Sequence, residues 1–170
     1  MARYSASWSS ITHGTGVADG SSLVSNTYPL EIVGGSATQR VNINEVFIGG
    51  EAASTSAPTV MRLGRDSTIA VTATSAGNAL LQLMDASATA PTSVPSLVQS
   101  ATTNPTRSTT LGRLLALSFN AYGGIARWQA RYGEEISLVG NTASLGAMSL
   151  SAFTGSTTAA TSGHIILEVA

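Results

Sequence analysis

An all-β fold, a β-sandwich or jelly roll in one domain, is the class this sequence predicts, on three observations. Glycine-centred turn signals recur at short intervals, from Gly14 and Gly16 through Gly34-Gly35, Gly49-Gly50, Gly77-Asn78, Gly123-Gly124 and Gly140-Asn141 to Gly163. Short runs rich in β-branched and aromatic residues lie between them, a spacing that belongs to sandwiches and barrels and not to βαβ units. The 170 residues carry no internal repeat and suit a single domain. Roughly eight to ten antiparallel strands joined by long loops are expected.

Taken in order, Tyr4 to Ile11 alternates, with Tyr4, Ala6 and Trp8 on one face. Tyr28 to Val33 reads as a second short strand. Arg40 to Ile48 is the clearest: Val41 and Ile43 share a face, with Asn42 and Asn44 opposite. The alternation slips at Glu45, because Val46, Phe47 and Ile48 are all apolar, as in a strand covered on both faces. Thr59 to Leu63 and Ser67 to Ala73 continue the pattern. Ala79 to Asp85 is consistent with either a helical turn or a strand. Ala86 to Thr110, rich in Ala, Ser and Thr and carrying Pro91, Pro95 and Pro105, reads as a long surface loop. Five more strands follow: Leu111 to Phe119, Ala126 to Tyr132, Glu135 to Val139, Ala147 to Phe153 and His164 to Val169. Residues 1–25 are expected to be an extended N-terminal arm and 26–170 the jelly-roll domain.

Composition narrows the function classes. Charged residues make up only 10% of the chain and the net charge is -1. The surface therefore repels neighbours weakly, as suits a protein that packs against others. Cysteine is absent, which removes disulfides, thiolate catalysis and Cys-based zinc sites. All eight basic residues are Arg, so Schiff-base chemistry and the P-loop lysine are also excluded. No basic patch points to nucleic acid. No run approaches the length of a membrane helix, and residues 1–10 lack the apolar core of a secretory signal, so a chain made and kept in the cytoplasm is expected.

Chemical motifs are few. His13 and His164 are the only histidines, and each reads as an exposed loop or strand-end residue. His13-Gly14-Thr15-Gly16 followed by Asp19 has glycines that suit a phosphate loop but no helix after them. Glu134 and Glu135 are adjacent and would point to opposite faces of a strand. Arg127, Arg131, Glu134 and Glu135 surround Trp128 and Tyr132, a pattern for a cross-strand ion pair with an Arg stacked on an aromatic ring. Arg62, Arg65 and Asp66 suit a local salt bridge or a subunit contact. Asp85 is a lone carboxylate, insufficient for calcium. No acid, base and nucleophile are assembled, so no catalytic residue, metal or cofactor is expected.

Several segments together resemble the small jelly-roll decoration, or cement, proteins of tailed-bacteriophage capsids. They are the Met-Ala-Arg-Tyr start, RVNINEVFIGGEAASTSAPTVMRLGR (40–65), TSAGNALLQLMDASATAP (74–91), ARWQARYGEEISLV (126–139) and the closing HIILEV (164–169). The resemblance covers most of the chain after Thr38 and departs from the family in lacking a proline beside Asp85. It implies a homotrimer bound to the major capsid protein on the outside of the phage head, hence located in the virion after synthesis in the host cytoplasm. It does not imply catalysis and supplies no catalytic residues to carry over; that there is no nucleic-acid partner and no membrane is expected from composition.

Candidate subunit or capsid contacts are Trp8, Tyr28, Arg62, Arg65, Arg127, Trp128, Arg131 and Tyr132, with core packing the competing reading for the four aromatics. The arm would supply a further contact through Met1 to Ser22, so that its removal would weaken capsid binding and leave the trimer folded. A receptor- or glycan-binding head spike or tail appendage on the same fold is the alternative, and an enzyme the least favoured.

Overall fold

The structure, a computed structural model, describes residues 2–24, 28–51, 55–69, 71–74, 80–88, 96–98 and 100–170. Among them are fourteen strands. The Gly77-Asn78 turn signal, Pro91 and Pro95 lie outside the described residues.

Two six-stranded sheets form the body of the protein. The first has the order β11 (Ile125–Gln129), β3 (Arg40–Gly50), β14 (Ala159–Val169), β1 (Ala2–His13) and β6 (Leu80–Leu83), with β12 (Ile136–Val139) paired to β3 beside β11. The second runs β10 (Leu115–Asn120), β4 (Pro58–Thr68), β13 (Ala147–Ala152), β2 (Leu30–Val33) and β7 (Ser96–Val98), with β9 (Thr106–Arg107) on β4. A separate ribbon pairs β5 (Val71–Thr74) with β8 (Ser100–Thr103). Every strand pair is antiparallel.

One apolar core joins the two sheets, as in a β-sandwich. Tyr4, Ala6 and Trp8 of β1, Val41 and Ile43 of β3, and Ile165 and Leu167 of β14 meet Met61 and Leu63 of β4, Ile32 of β2 and Leu150 of β13. Each set sits at alternate positions, so a period of two selects the inward face.

Several expectations change here. Residues 2–13 are not an arm: β1 lies inside the first sheet, between β14 and β6, and buries Ala2, Tyr4, Ala6, Trp8 and Ile11. Leu80 to Leu83 is a strand, which decides the ambiguous segment. The tract 86–110 is not a bare loop, since it contains β7, β8 and β9 and buries Pro105 and Arg107. At the slip in β3, Ile166 of β14 faces Glu45 while the next residue, Leu167, faces Ile43. Asn44 is the extra residue of a β-bulge, which resets the alternation and puts Phe47 on the outward face.

The outward face of the second sheet is itself covered. Residues 17–23 pair with 105–107 through Gly20 N–H to Arg107 O (2.8 Å) and Leu23 N–H to Pro105 O (2.8 Å). The following stretch rests on β4 at Gly64, where any added Cβ would lie 2.0 Å from the Gly112 oxygen. The missing side chain at Gly64 is what lets this cover approach the sheet so closely.

Candidate functional site

Two polar assemblies stand on the outward faces of the sheets. On the first sheet, the bulge in β3 presents Glu45 to two neighbouring strands. Arg127 Nη2 of β11 donates to Glu45 Oε2 (2.8 Å), and His164 Nε2 of β14 lies 3.0 Å from Oε1. The Arg127 hydrogen bond, aided by His164, holds the Glu45 carboxyl below its ordinary range against the opposing effect of burial. The His164 ring stacks on Phe47 with centroids 5.4 Å apart. His164 is thus a mid-strand residue with two partners, not a strand-end residue.

Beside this cluster a groove of about 630 Å³ crosses the sheet. Asn42, Asn44, Glu45 and Glu168 form its polar floor, and Tyr132 and Met84 are on its lining near opposite edges of the sheet.

The second sheet carries a buried polar layer. Arg107 is 1% exposed. Its Nη2 donates to Ser151 Oγ (2.7 Å) and to Ser149 Oγ and O (both 3.2 Å). Ser149 Oγ in turn donates to Asp66 Oδ1 (2.7 Å). Burial pushes the Asp66 carboxyl up to about 7, although the Ser149 hydrogen bond and the Arg107 charge favour its ionised form. The Tyr28 hydroxyl is also pushed up, by burial first and then by Glu31 and Asp66. Asp19, in the covering segment, binds Arg62 (3.3 Å) and Arg113 (2.6 Å) and so closes the layer.

Asp66 makes stability depend on pH with a definite sign. Its folded-state pKa of about 7 lies above the ordinary 3.8, so the folded protein holds a proton that the unfolded chain releases. The stability this contributes is full below pH 3.8 and is lost as pH rises to about 7. His13 opposes it: burial lowers its imidazole from 6.5, which favours the folded state more as pH rises toward that value. Glu45 and Glu51 are both depressed from 4.5 and lose their contributions only below it. The difference in urea midpoint between wild type and Asp66→Asn therefore isolates Asp66, and it is expected to shift in favour of Asp66→Asn between pH 5 and pH 7. A difference constant with pH would rule out a raised Asp66.

The eight contact candidates do not form one surface. Trp8 (3% exposed) and Tyr28 (0%) are buried, so in the folded chain neither is free to touch a partner. Trp128 packs against the core from β11. Arg62 lies over the Phe153 ring, its guanidinium carbon 3.3 Å from the centroid, and this is where an Arg stacks on an aromatic. Arg65 donates to the Ser137 carbonyl (2.6 Å) and the Leu145 carbonyl (2.7 Å), tying β4 to β12 and the loop after it. Arg127 pairs with Glu45 and not with Glu134 or Glu135. Arg131 and Tyr132 are exposed on the β11–β12 turn.

His13 is buried at the end of β1, its Nδ1 3.0 Å from the Gly14 carbonyl, and so is not an exposed loop residue. The Asp85 Oδ1 accepts from Ser87 N (2.9 Å) and Oγ (2.7 Å), a local turn. Among the described residues, no group of three or more His, Asp or Glu side chains is placed to hold a metal ion.

Sequence reasoning missed Arg107, placed Asp66 with Arg62 and Arg65 where the structure gives it Ser149, and singled out Glu45 and Asp19 without their partners. The slip at Glu45 was the one available signal, since a break in alternation next to polar residues also marks a bulge. No family model, no curated protein and no solved structure matches this chain.

Proposed function

We propose that the two sheets form a jelly roll and that the chain is a non-enzymatic virion structural protein. It would act as a trimeric decoration or cement protein that binds the major capsid protein on the outer surface of a phage head. The strand order supports the first part. Strands 1, 14, 3 and 11 are neighbours in one sheet and strands 2, 13, 4 and 10 in the other. The successive pairs β1/β2, β3/β4, β10/β11 and β13/β14 are each split between the sheets, as in two interlocked Greek keys. The segment β5–β9 is then an insertion that adds β6 and β7 to one pair of edges.

The observation that carries the assembly reading is the outer edge of the first sheet. It consists of β11 and β12, each paired only to β3 among the described residues. Ile125 is 68% exposed, Val139 45%, and Leu145 in the following loop 58%. Soluble proteins blunt such edges with Lys, Pro or unpaired charge. β11 has no Lys or Pro, and its one charge, Arg127, is spent on Glu45; β12 is partly met, with Arg65 donating to the Ser137 carbonyl and Val139 N–H to the Leu145 carbonyl. A second copy of the chain covering this edge accounts for it, and a closed ring of copies leaves none exposed. The capsid as the larger partner rests on the resemblance of segments 40–65, 74–91 and 126–139. Three linked contacts would raise avidity on a capsid lattice by about 10²–10⁴.

Light scattering and co-sedimentation test both parts. The wild-type chain is expected at about three times 17.2 kDa and to pellet with tailed-phage heads. Ile125→Arg with Val139→Arg, both at exposed positions, should give a folded monomer that pellets poorly. A wild-type monomer at high concentration would sink the trimer, and absence from the head pellet would sink the capsid role.

A further inference from the structure

The groove on the outward face of the first sheet is a recess that begins at β11 and the β11–β12 turn. Its floor crosses the strands, with Asn42 and Asn44 from β3, Ile166 and Glu168 from β14 and Arg3 from β1. Tyr132, on the β11–β12 turn, and Met84, just after β6, are on its lining near opposite edges of the sheet. The groove therefore spans the sheet from one edge to the other, four interstrand steps or about 19 Å. That length suits a linear oligomer.

The bulge is what equips the floor. Asn44 and Glu45 are adjacent in sequence and would face opposite sides of a regular strand. Because the ladder skips Asn44, both line the groove. Bulges re-aim side chains in this way beside binding sites.

The polar groups are held in place and keep hydrogen-bonding capacity. Asn42 Oδ1 accepts from Ser137 Oγ (2.6 Å) and Arg40 Nε (3.3 Å), which orients the amide and leaves its NH2 to donate. Glu45 is anchored by Arg127 and His164, with further lone pairs to accept. Gln129, also on the lining, can donate and accept. Planar amides and carboxylates of this kind bridge neighbouring hydroxyls, each of which both donates and accepts.

Tyr132 is 103% exposed, as much as in an isolated peptide. Its turn is nonetheless fixed. Glu135 Oε1 accepts the Gly133 N–H (3.1 Å), the Glu134 N–H donates to Arg131 O (2.9 Å), and Gly133 takes φ +83°. A ring held up in solvent on a fixed turn is a platform for an apolar ligand face. The charges on the lining are Arg3 against Glu45, Glu135 and Glu168, a balance that repels polyanions.

We propose that this groove binds an uncharged linear oligosaccharide, with Tyr132 stacking on a sugar face and Asn42, Glu45 and Gln129 reading its hydroxyls. The proposal uses residues other than Ile125, Val139 and Leu145, the exposed positions of the proposed assembly edge.

The test is a glycan array probed with the full-length protein, followed by calorimetry with the best uncharged hexasaccharide, a uronic-acid hexasaccharide and an oligolysine peptide. Tyr132→Ala and Gln129→Ala change exposed side chains, and thermal melting checks that both variants stay folded. Saturable binding of the uncharged sugar is expected, weakened about tenfold by Tyr132→Ala and also by Gln129→Ala, with no binding of the uronic-acid chain. No uncharged glycan bound, or binding indifferent to both substitutions, would overturn the proposal. So would oligolysine binding lost with Tyr132→Ala while the sugars fail, which would make the groove a site for cationic peptides. Light scattering on the same samples keeps the trimer question separate.

Discussion

A chain lacking residues 1–13 is expected not to fold. β1 has neighbours on both sides, making ten register pairs with β14 and four with β6. It buries Tyr4, Trp8 and Ile11, each worth about 1.5–3 kcal/mol of apolar burial. Its loss also uncovers the inward side chains of β14. Together these are comparable to the whole stability of an ordinary domain, about 5–15 kcal/mol. Circular dichroism and a thermal melt of the truncated chain check this, and a cooperative unfolding transition would refute it. Such a truncation cannot serve as a probe of capsid contact, because it removes a strand of the core sheet and not an appendage.

Arg107→Ala is expected to cost about 3–5 kcal/mol at pH 7.5, the range for removing one partner from a buried charged network. Arg107 is the cation of the layer between the second sheet and its cover, and its bonds to Ser149 and Ser151 join that cover to β13. Without it, Asp66 must be neutral or buried as an uncompensated anion. The loss should therefore be smaller at pH 5, where Asp66, already pushed up to about 7, holds its proton. Urea unfolding at the two pH values measures both effects. Arg107→Met with Asp66→Leu should recover most of the stability, since an apolar pair needs no solvation. A single substitution costing under about 1 kcal/mol would show that the network is not structural, because changes of that size are typical of surface positions.

What could be read locally was the alternation. Tyr4, Ala6 and Trp8 sharing a face, Val41 with Ile43, and the short runs near 136, 147 and 164 all became strands with those faces inward. Local reading failed where partners are remote. β1 alternates as an edge strand or an arm would, and what makes it internal is pairing with a strand more than 150 residues away in the chain, Ala2 against Val169. The Ser- and Thr-rich stretch ending at Thr110 has no apolar period. Its described end, residues 104–110, packs around Arg107 because a polar outward face, Asp66 with Ser149 and Ser151, lies under it.

The candidate site followed the same division. Of the candidate contacts, Arg127, Arg131 and Tyr132 are exposed, whereas for Trp8 and Tyr28 the competing reading, core packing, holds. Residue type reports what a side chain can do, and only its strand's position in the sheet reports whether it meets solvent.

The sequence by itself determined an all-β protein with short strands, no thiol or amine chemistry and a weakly charged surface, because period, turn residues and composition are local properties. The tertiary structure alone decided the order of strands in two sheets, the bulge that turns Asn44 and Glu45 into one groove, and the burial of Arg107 beside Asp66. Each of these is a pairing between distant segments, and its free energy depends on register and desolvation that no single segment encodes.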